Sequence, residues 1–295
     1  MKAMVLAAGL GTRLRPLTDD RPKALVEIGG RTLIEITLAR LREFGIRDVV
    51  INAHHFADKL VEYLEAHENF GMRINVSRED VLLDTGGGLK KAAHFFLAGA
   101  NKAKPTAELR SARQPGTAVP TRAPAVQDSE EPIVIHNVDV ISRIDLVRMA
   151  KIHSAGGALA TLAVQDRQTS RYLIFDEQLQ LCGRRIERKA KEEMAKKATT
   201  GIGRNATEGI VRGATEEMVR KPRHAQALAF AGIHIVSPRL LPKLTEQGAF
   251  SIITSYLRLA GQGEEIQGFR ADEYYWRDVG RREDLKRAEQ ELTML

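Results

Sequence analysis

The sequence predicts an α/β fold: a mixed, mainly parallel sheet with flanking helices, carried by one domain spanning residues 1–291 and broken by two insertions, 99–130 and 186–224. Two observations carry that prediction. Short apolar runs alternate with segments of helical period through the first hundred residues. A glycine loop, Gly9 to Gly11, follows the first apolar run where a buried strand should turn into a helix. The 295 residues, 43% of them hydrophobic, are enough to bury a large core.

The elements follow in order. Met4-Val5-Leu6 is the first strand, and a helix is predicted over Leu33–Phe44 with Leu33, Ile36, Leu38 and Leu41 on one side and Gly45 as its cap. Asp48–Asn52 is a second strand, Phe56–His67 a helix with Leu60 and Leu64 four apart, and Arg73–Ser77 a third strand. Asp84-Thr85-Gly86-Gly87-Gly88-Leu89 is predicted as a glycine-rich turn ahead of a helix starting at Lys90. The stretch 99–130, rich in Ala, Pro, Thr and Arg without an apolar period, is expected to be irregular. Strands resume at Pro132–Asn137, Gly157–Val164 and Leu228–Val236. The alternation indicates a sheet wound in the Rossmann manner, which places ligands at the carboxyl ends of its strands.

Charge and composition narrow the function. The net charge of +7 is concentrated: Arg184–Arg223 holds twelve Lys/Arg and six Glu, leaving the remainder nearly neutral. That stretch has helix-forming composition at Ile186–Lys197 and a short echo, R-N-A-T-E at Arg204–Glu208 against R-G-A-T-E at Arg212–Glu216. It is expected to be an exposed charged insertion. A local surplus of charge and only 5% aromatic residues disfavour nucleic-acid binding. No apolar run approaches the ~20 residues that cross a bilayer, so no membrane partner is expected. The single cysteine, Cys182, suits a reducing compartment, and a cytoplasmic location is expected.

The chemistry begins at Leu6–Leu25, L-A-A-G-L-G-T-R-L-R-P-L-T-D-D-R-P-K-A-L. Backbone N–H groups converging ahead of a helix favour phosphate, and Arg13 and Lys23 add a donor fork and a mobile charge. The spacing excludes a Walker A loop, because Gly11 is followed by Thr12-Arg13. It also excludes a dinucleotide fingerprint, because Leu14 stands where the third glycine belongs. The missing glycine also disfavours a Rossmann oxidoreductase.

The whole string, with Thr-Arg after the second glycine and Pro22-Lys23 ten residues on, resembles the signature of the sugar-1-phosphate nucleotidylyltransferases. The resemblance extends over N-V-D-V at Asn137–Val140, F-A-G-I-H at Phe230–His234, F-S-I-I at Phe250–Ile253 and Y-W-R-D-V-G at Tyr275–Gly280. It implies the nucleotide-diphospho-sugar transferase type of fold and a reaction between an NTP and a sugar 1-phosphate. It implies Arg13 and Lys23 as catalytic residues, Mg²⁺ as cofactor, and Asp139 and Asp278 as its ligands. Ala7, Ala8, Gly9, Leu10, Gly11, Thr12, Gly86, Gly87 and Gly88 would bind the NTP, and Asn137, Gly183 and Gly232 the sugar phosphate. T-G-G-G after an acidic residue is nearest to uridylyltransferases for N-acetylmuramate 1-phosphate, with mannose-1-phosphate guanylyltransferases as neighbours, leaving UTP against GTP open. Oligomeric state is also left open. The alternative is a catalytically silent homologue acting as a regulatory or scaffolding subunit, which intact Arg13, Lys23, Asp139 and Asp278 disfavour.

Overall fold

The computed structural model describes residues 1–97, 131–187 and 214–292. Its centre is β1 (Lys2–Leu6), which pairs in parallel on both sides, with β4 (Asp48–Ala53) and β6 (Ile133–Asn137). β5 (Arg73–Arg78) extends the block in parallel beyond β4. On the other flank β12 (Gln226–Val236) pairs antiparallel with β6, and β9 (Arg171–Phe175), β10 (Leu181–Glu187) and β11 (Ala214–Met218) continue outward. β8 (Ala160–Gln165) also lies against β12 and carries β13 (Ile266–Arg270) in parallel. The result is the predicted mixed sheet. Two small ribbons complete it: β2 (Glu27–Ile28) with β3 (Arg31–Thr32), and β7 (Val140–Ser142) with β14 (Trp276–Asp278).

Both faces of the sheet are covered, because alternate residues of β1 enter different cores. Ala3 and Val5 join α1 (Leu33–Glu43), α2 (Ala57–Ala66), α4 (Leu146–Gly156) and α6 (Arg282–Leu292). Met4 joins α3 (Asp84–Leu97) and α5 (Ile252–Gly261). On α1 the fully buried stripe is Leu33, Ile34, Leu38 and Leu41; Ile36, predicted for that stripe, is only partly buried. Thr32 caps α1 by accepting from the Glu35 amide at 3.2 Å, and Gly45, at φ 74°, ends it.

Two predictions are corrected. The glycines 86–88 are not in a turn before a helix at Lys90: α3 begins at Asp84 and contains them. Glycine costs a helix about 1 kcal/mol relative to alanine. Here tertiary contact outweighs propensity: the Gly86 and Gly87 amides donate to the Phe250 carbonyl at 2.9 and 3.3 Å, and the Ile252 amide donates to Thr85 Oγ1 at 3.0 Å. The other correction concerns the basic insertion, whose two ends belong to the sheet. Ile186 and Glu187 finish β10, and Ala214–Met218 is β11, with Arg185 opposite Glu216 and Arg184 opposite Glu217. Beyond it, Arg220 donates to the Ala260 and Glu264 carbonyls at 2.7 and 3.1 Å. The rest of that stretch, including the first R-N-A-T-E copy, and the expected insertion 99–130 lie outside the described residues.

The core holds histidines that must stay neutral. His153 bonds Thr161 Oγ1 at 2.9 Å, and His234 bonds the Tyr256 hydroxyl at 2.9 Å. Burial lowers their pKa values to about 4 and about 3, and pushes Tyr256 well above its ordinary value. The unfolded chain protonates both histidines near pH ~6.5, whereas the folded chain resists until far lower. Their contribution is therefore complete above that pH and lost as pH falls. Urea denaturation is expected to show stability falling from about pH 7 to about pH 5, with a shallower slope in His153→Gln. An identical slope in the variant contradicts the assignment.

Candidate active site

The glycine loop is held from beneath. The Ala7 amide donates to Asn52 Oδ1 at 2.7 Å, Asn52 Nδ2 donates to Glu79 Oε1 at 2.7 Å, and Glu79 Oε2 accepts from the Leu83 amide at 3.0 Å. Glu79 is only 4% exposed, so these bonds are what keep a carboxylate tolerable behind the loop. Gly11, at φ 64°, turns the chain where a side chain would strain, and a Cβ there would lie 2.8 Å from Thr18 Cγ2. Ala7 and Ala8 are buried, while Gly9, Leu10, Thr12 and Arg13 are exposed. Among the described residues the N–H groups of Ala8, Gly9 and Leu10 have no acceptor. The loop thus presents free donors at the carboxyl edge of β1.

Two carboxylates and two cations meet at that edge. Lys23 pairs with Asp139 Oδ2, their side chains only 12% and 13% exposed. Asp139 follows β6, and its carbonyl accepts from the Val279 amide at 2.8 Å, joining it to the strand that carries Asp278. Asp278 Oδ1 accepts from the Gly280 amide at 2.7 Å. A Cβ on Gly280 would stand 2.8 Å from Arg13 Nη2, 2.8 Å from Asp278 Oδ1 and 3.1 Å from Asp139 Oδ2. Three residues spread from position 13 to 278 thus meet at one glycine, with Lys23 joined through Asp139. Two hard oxygen donors suit Mg²⁺, which takes one or two carboxylates and completes its shell with phosphate oxygens and water. No group of three or more His, Cys, Asp or Glu that could hold a metal by itself occurs among the described residues.

Beside this cluster opens a cavity of about 1060 Å³. Arg13, Asn137, Gly232 and Asp278 line it. Gly232 packs on Asn137, with its Cβ position 2.8 Å from Asn137 Nδ2. Gly183 is placed elsewhere: its Cβ position falls 2.4 Å from the Glu217 carbonyl oxygen, so this glycine admits β11 and does not line the cavity. Gly86, Gly87 and Gly88 are buried against Phe250, Gly248 and the Asn52–Glu79 pair, and the cavity wall there is formed by Asp84 and Thr85. The side-chain positions of these glycines, expected to bind the NTP, therefore face protein.

Sequence reasoning passed over several residues of this region. Asn52 lies near the end of β4 and Glu79 directly follows β5, and only their bonding to Ala7 and Leu83 shows their part. His54 bonds the Glu79 carbonyl through Nδ1 at 2.8 Å. Arg167 lies with Cζ 3.8 Å above the Trp276 ring and donates to the Phe230 carbonyl at 2.8 Å. Burial lowers its pKa, opposed by the nearby Asp278 charge. The turn Q-D-R-Q around Arg167 carries no recognisable motif.

An open α/β sheet whose carboxyl edge offers free amides, two cations and two carboxylates beside a wide cavity defines a phosphate-handling class of protein. The chain belongs to the nucleotidyl transferase family, whose model matches residues 2–294. It is 55% identical over 93 residues to the N-acetylmuramate alpha-1-phosphate uridylyltransferase of Caulobacter vibrioides, covering 30% of this chain and 38% of that protein. It is 29% identical over 171 residues to the UTP–glucose-1-phosphate uridylyltransferase of Synechocystis, covering 55% of this chain and 36% of that one. These matches span less than half of either relative's length. Among solved structures, a putative glucose-1-phosphate thymidylyltransferase from Bacillus anthracis in complex with a sucrose superposes with a TM-score of 0.64 at 16% identity, covering 100% of this chain and 96% of that one. A UDP-glucose pyrophosphorylase complexed with UDP-glucose gives a TM-score of 0.64 at 16% identity over 99% and 98%. These two likenesses establish the shared fold.

The packing of α3 generates a test. An alanine Cβ at position 86 would stand 2.3 Å from the Phe250 ring and 3.0 Å from the Phe250 carbonyl oxygen. Gly86→Ala is expected to lower unfolding free energy by about 1–3 kcal/mol in spite of alanine's helix propensity. Equal or higher stability by urea denaturation contradicts the close contact.

Proposed function

We propose that the protein is a sugar-1-phosphate nucleotidylyltransferase, joining an NTP, UTP or GTP, to a sugar 1-phosphate and releasing pyrophosphate. The observation that carries this reading is the convergence of Arg13, Asp139 and Asp278 beside Gly280, with Lys23 on Asp139, next to a loop with free amides. The family supports it, as do relatives named for uridylyl transfer to sugar phosphates.

Every reacting group is anionic, so the site must neutralise charge and align oxygens; no covalent intermediate is required. The amides of Ala8, Gly9 and Leu10, with Gly11, Thr12 and Arg13, receive the phosphates that leave as pyrophosphate. Lys23, exchanging its bond to Asp139 for phosphate oxygens, spans the reacting groups. A phosphate oxygen of the sugar 1-phosphate attacks the α-phosphorus in line; the new O–P bond forms as the α–β bridging bond breaks. Asn137 and Gly232 border the acceptor. Asp139 and Asp278 would hold Mg²⁺, which supplies charge neutralisation and orientation of the phosphates when bound. Use of an NTP supports a cytoplasmic location. The alternative, a silent homologue, requires a broken constellation, and all four of its residues stand together here.

The test is pyrophosphate release with Mg²⁺ across a panel of NTPs and sugar 1-phosphates. Release with at least one pair is expected, and none with any pair refutes the reading. Asp139→Asn and Lys23→Ala should each lower turnover by at least about 100-fold with the circular dichroism spectrum retained. Near-wild-type turnover in a folded variant removes that residue's role.

A further inference from the structure

The cavity contains a half-buried arginine that makes no ion pair among the described residues. Arg167 follows β8 and is fixed from two sides. Its Cζ lies 3.8 Å over the Trp276 ring and its Nη2 donates to the Phe230 carbonyl at 2.8 Å. Trp276 is itself anchored, its Nε1 donating to the Ala231 carbonyl at 2.7 Å. These anchors run directly into Gly232, which packs on Asn137. Arg167 Nε is buried without an acceptor, and among the described residues the side chain makes no ion pair.

Other arginines of the region differ from it: among the described residues, Arg13, Arg171 and Arg281 line the cavity without an ion pair but are exposed. Arg185 also lies over an aromatic ring, Tyr172 at 5.0 Å, and has a buried unpartnered Nε. It stands 3.8 Å from Glu187 and 3.7 Å from Glu216, however, and does not line the cavity. Arg184 and Arg277 line the cavity but are paired, Arg184 with Glu217 at 2.8 Å and Arg277 with Glu291. Arg167 therefore combines a fixed plane with a buried Nε that has no acceptor, and the Asp278 charge lies near it without an ion pair forming. A half-buried cation with a buried donor lacking an acceptor is costly unless a ligand supplies the missing oxygen. The planar guanidinium fork matches a phosphate or a carboxylate, and stacking leaves its edge free to bond.

We propose that Arg167, held flat on Trp276, binds an anionic oxygen group of the acceptor sugar, either its 1-phosphate or a carboxylate on the sugar. The identity of that ligand as the acceptor rests on the nucleotidyl-transfer reading; the anion site itself does not. Arg13 and Lys23 already serve the NTP, while the anchors of Arg167 lead to Asn137 and Gly232 at the acceptor. Arg167 is thereby a binding residue that helps decide which sugars enter.

Trp276 is the chain's single tryptophan, so its fluorescence reports on the stack without nucleotide or turnover. Folded wild-type protein is titrated with α-D-glucose 1-phosphate, D-glucuronate and glucose. Emission should respond to an anionic probe and not to glucose. A response to glucose 1-phosphate alone identifies the phosphate, and a response to D-glucuronate identifies the carboxylate. Arg167→Gln should weaken the responding anion by roughly 30-fold or more, and Arg185→Gln should leave its affinity unchanged. In turnover, Arg167→Gln should raise KM for the acceptor and leave KM for the NTP within a factor of about three. If Arg167→Gln does not fold, Arg167→Lys, which keeps the charge and loses the fork, is measured in the same way. No response to either anion, or an unchanged affinity in the folded variant, overturns the proposal. Because the titration needs no NTP, its failure is distinguishable from failure of the proposed reaction.

Discussion

Everything at the site depends on β1 being paired on both sides. Its register sets Leu6 against Asn52 of β4 and Asn137 of β6, so both neighbours end level with it. All three strands are parallel here, and their carboxyl ends deliver a loop, an asparagine and a turn to one edge. Ala7 then has its amide taken by Asn52, and Val138 donates to the Leu6 carbonyl at 3.1 Å. The glycine loop therefore leaves the sheet between Asn52 below it and Asp139 beside it. A slip of one residue in either pairing would carry these groups to the opposite face of the sheet.

The ion pair between Lys23 and Asp139 has a different status from the surface pairs. Arg15–Asp19 or Arg78–Asp58 join exposed side chains and contribute little to stability. Lys23 and Asp139 are mostly withdrawn from water, where desolvation can exceed the attraction between them. Packing an apolar pair there would cost the fold less. Under the proposed function the pair is a poised arrangement, in which phosphate and metal would take the places the two side chains now fill for each other. The Asn52–Glu79 pair works differently: each carboxylate oxygen already has a donor from within the protein, so the pair supports the loop from beneath.

Local signals made the parallel block legible. β1, α1, β4, α2 and β5 each show their own apolar period, and Asp139 and Asp278 are visible because they follow strands or precede a turn. What stayed hidden depends on partners far along the chain. The helical state of Gly86–Gly88 rests on the Phe250 carbonyl, and nothing near position 86 announces it. β11 is exposed along its whole length, so its charged residues resemble a solvated insertion until Glu216 and Glu217 are seen opposite Arg185 and Arg184. Arg167 acquires meaning only from Trp276, which comes over its guanidinium from another part of the sequence. Gly183, taken as a ligand contact by resemblance, is explained by the passage of a neighbouring strand.

The central claim is that Arg13, Asp139 and Asp278 act at one point beside Gly280. Gly280→Ala tests it most directly, because the added methyl would stand 2.8 Å from Arg13 Nη2 and Asp278 Oδ1 and 3.1 Å from Asp139 Oδ2. Pyrophosphate release by the variant is measured alongside its urea unfolding. The account predicts turnover reduced by roughly 100-fold or more, since small displacements of aligned groups cost that much, with the fold retained. Turnover near the wild-type value in the folded variant would contradict it.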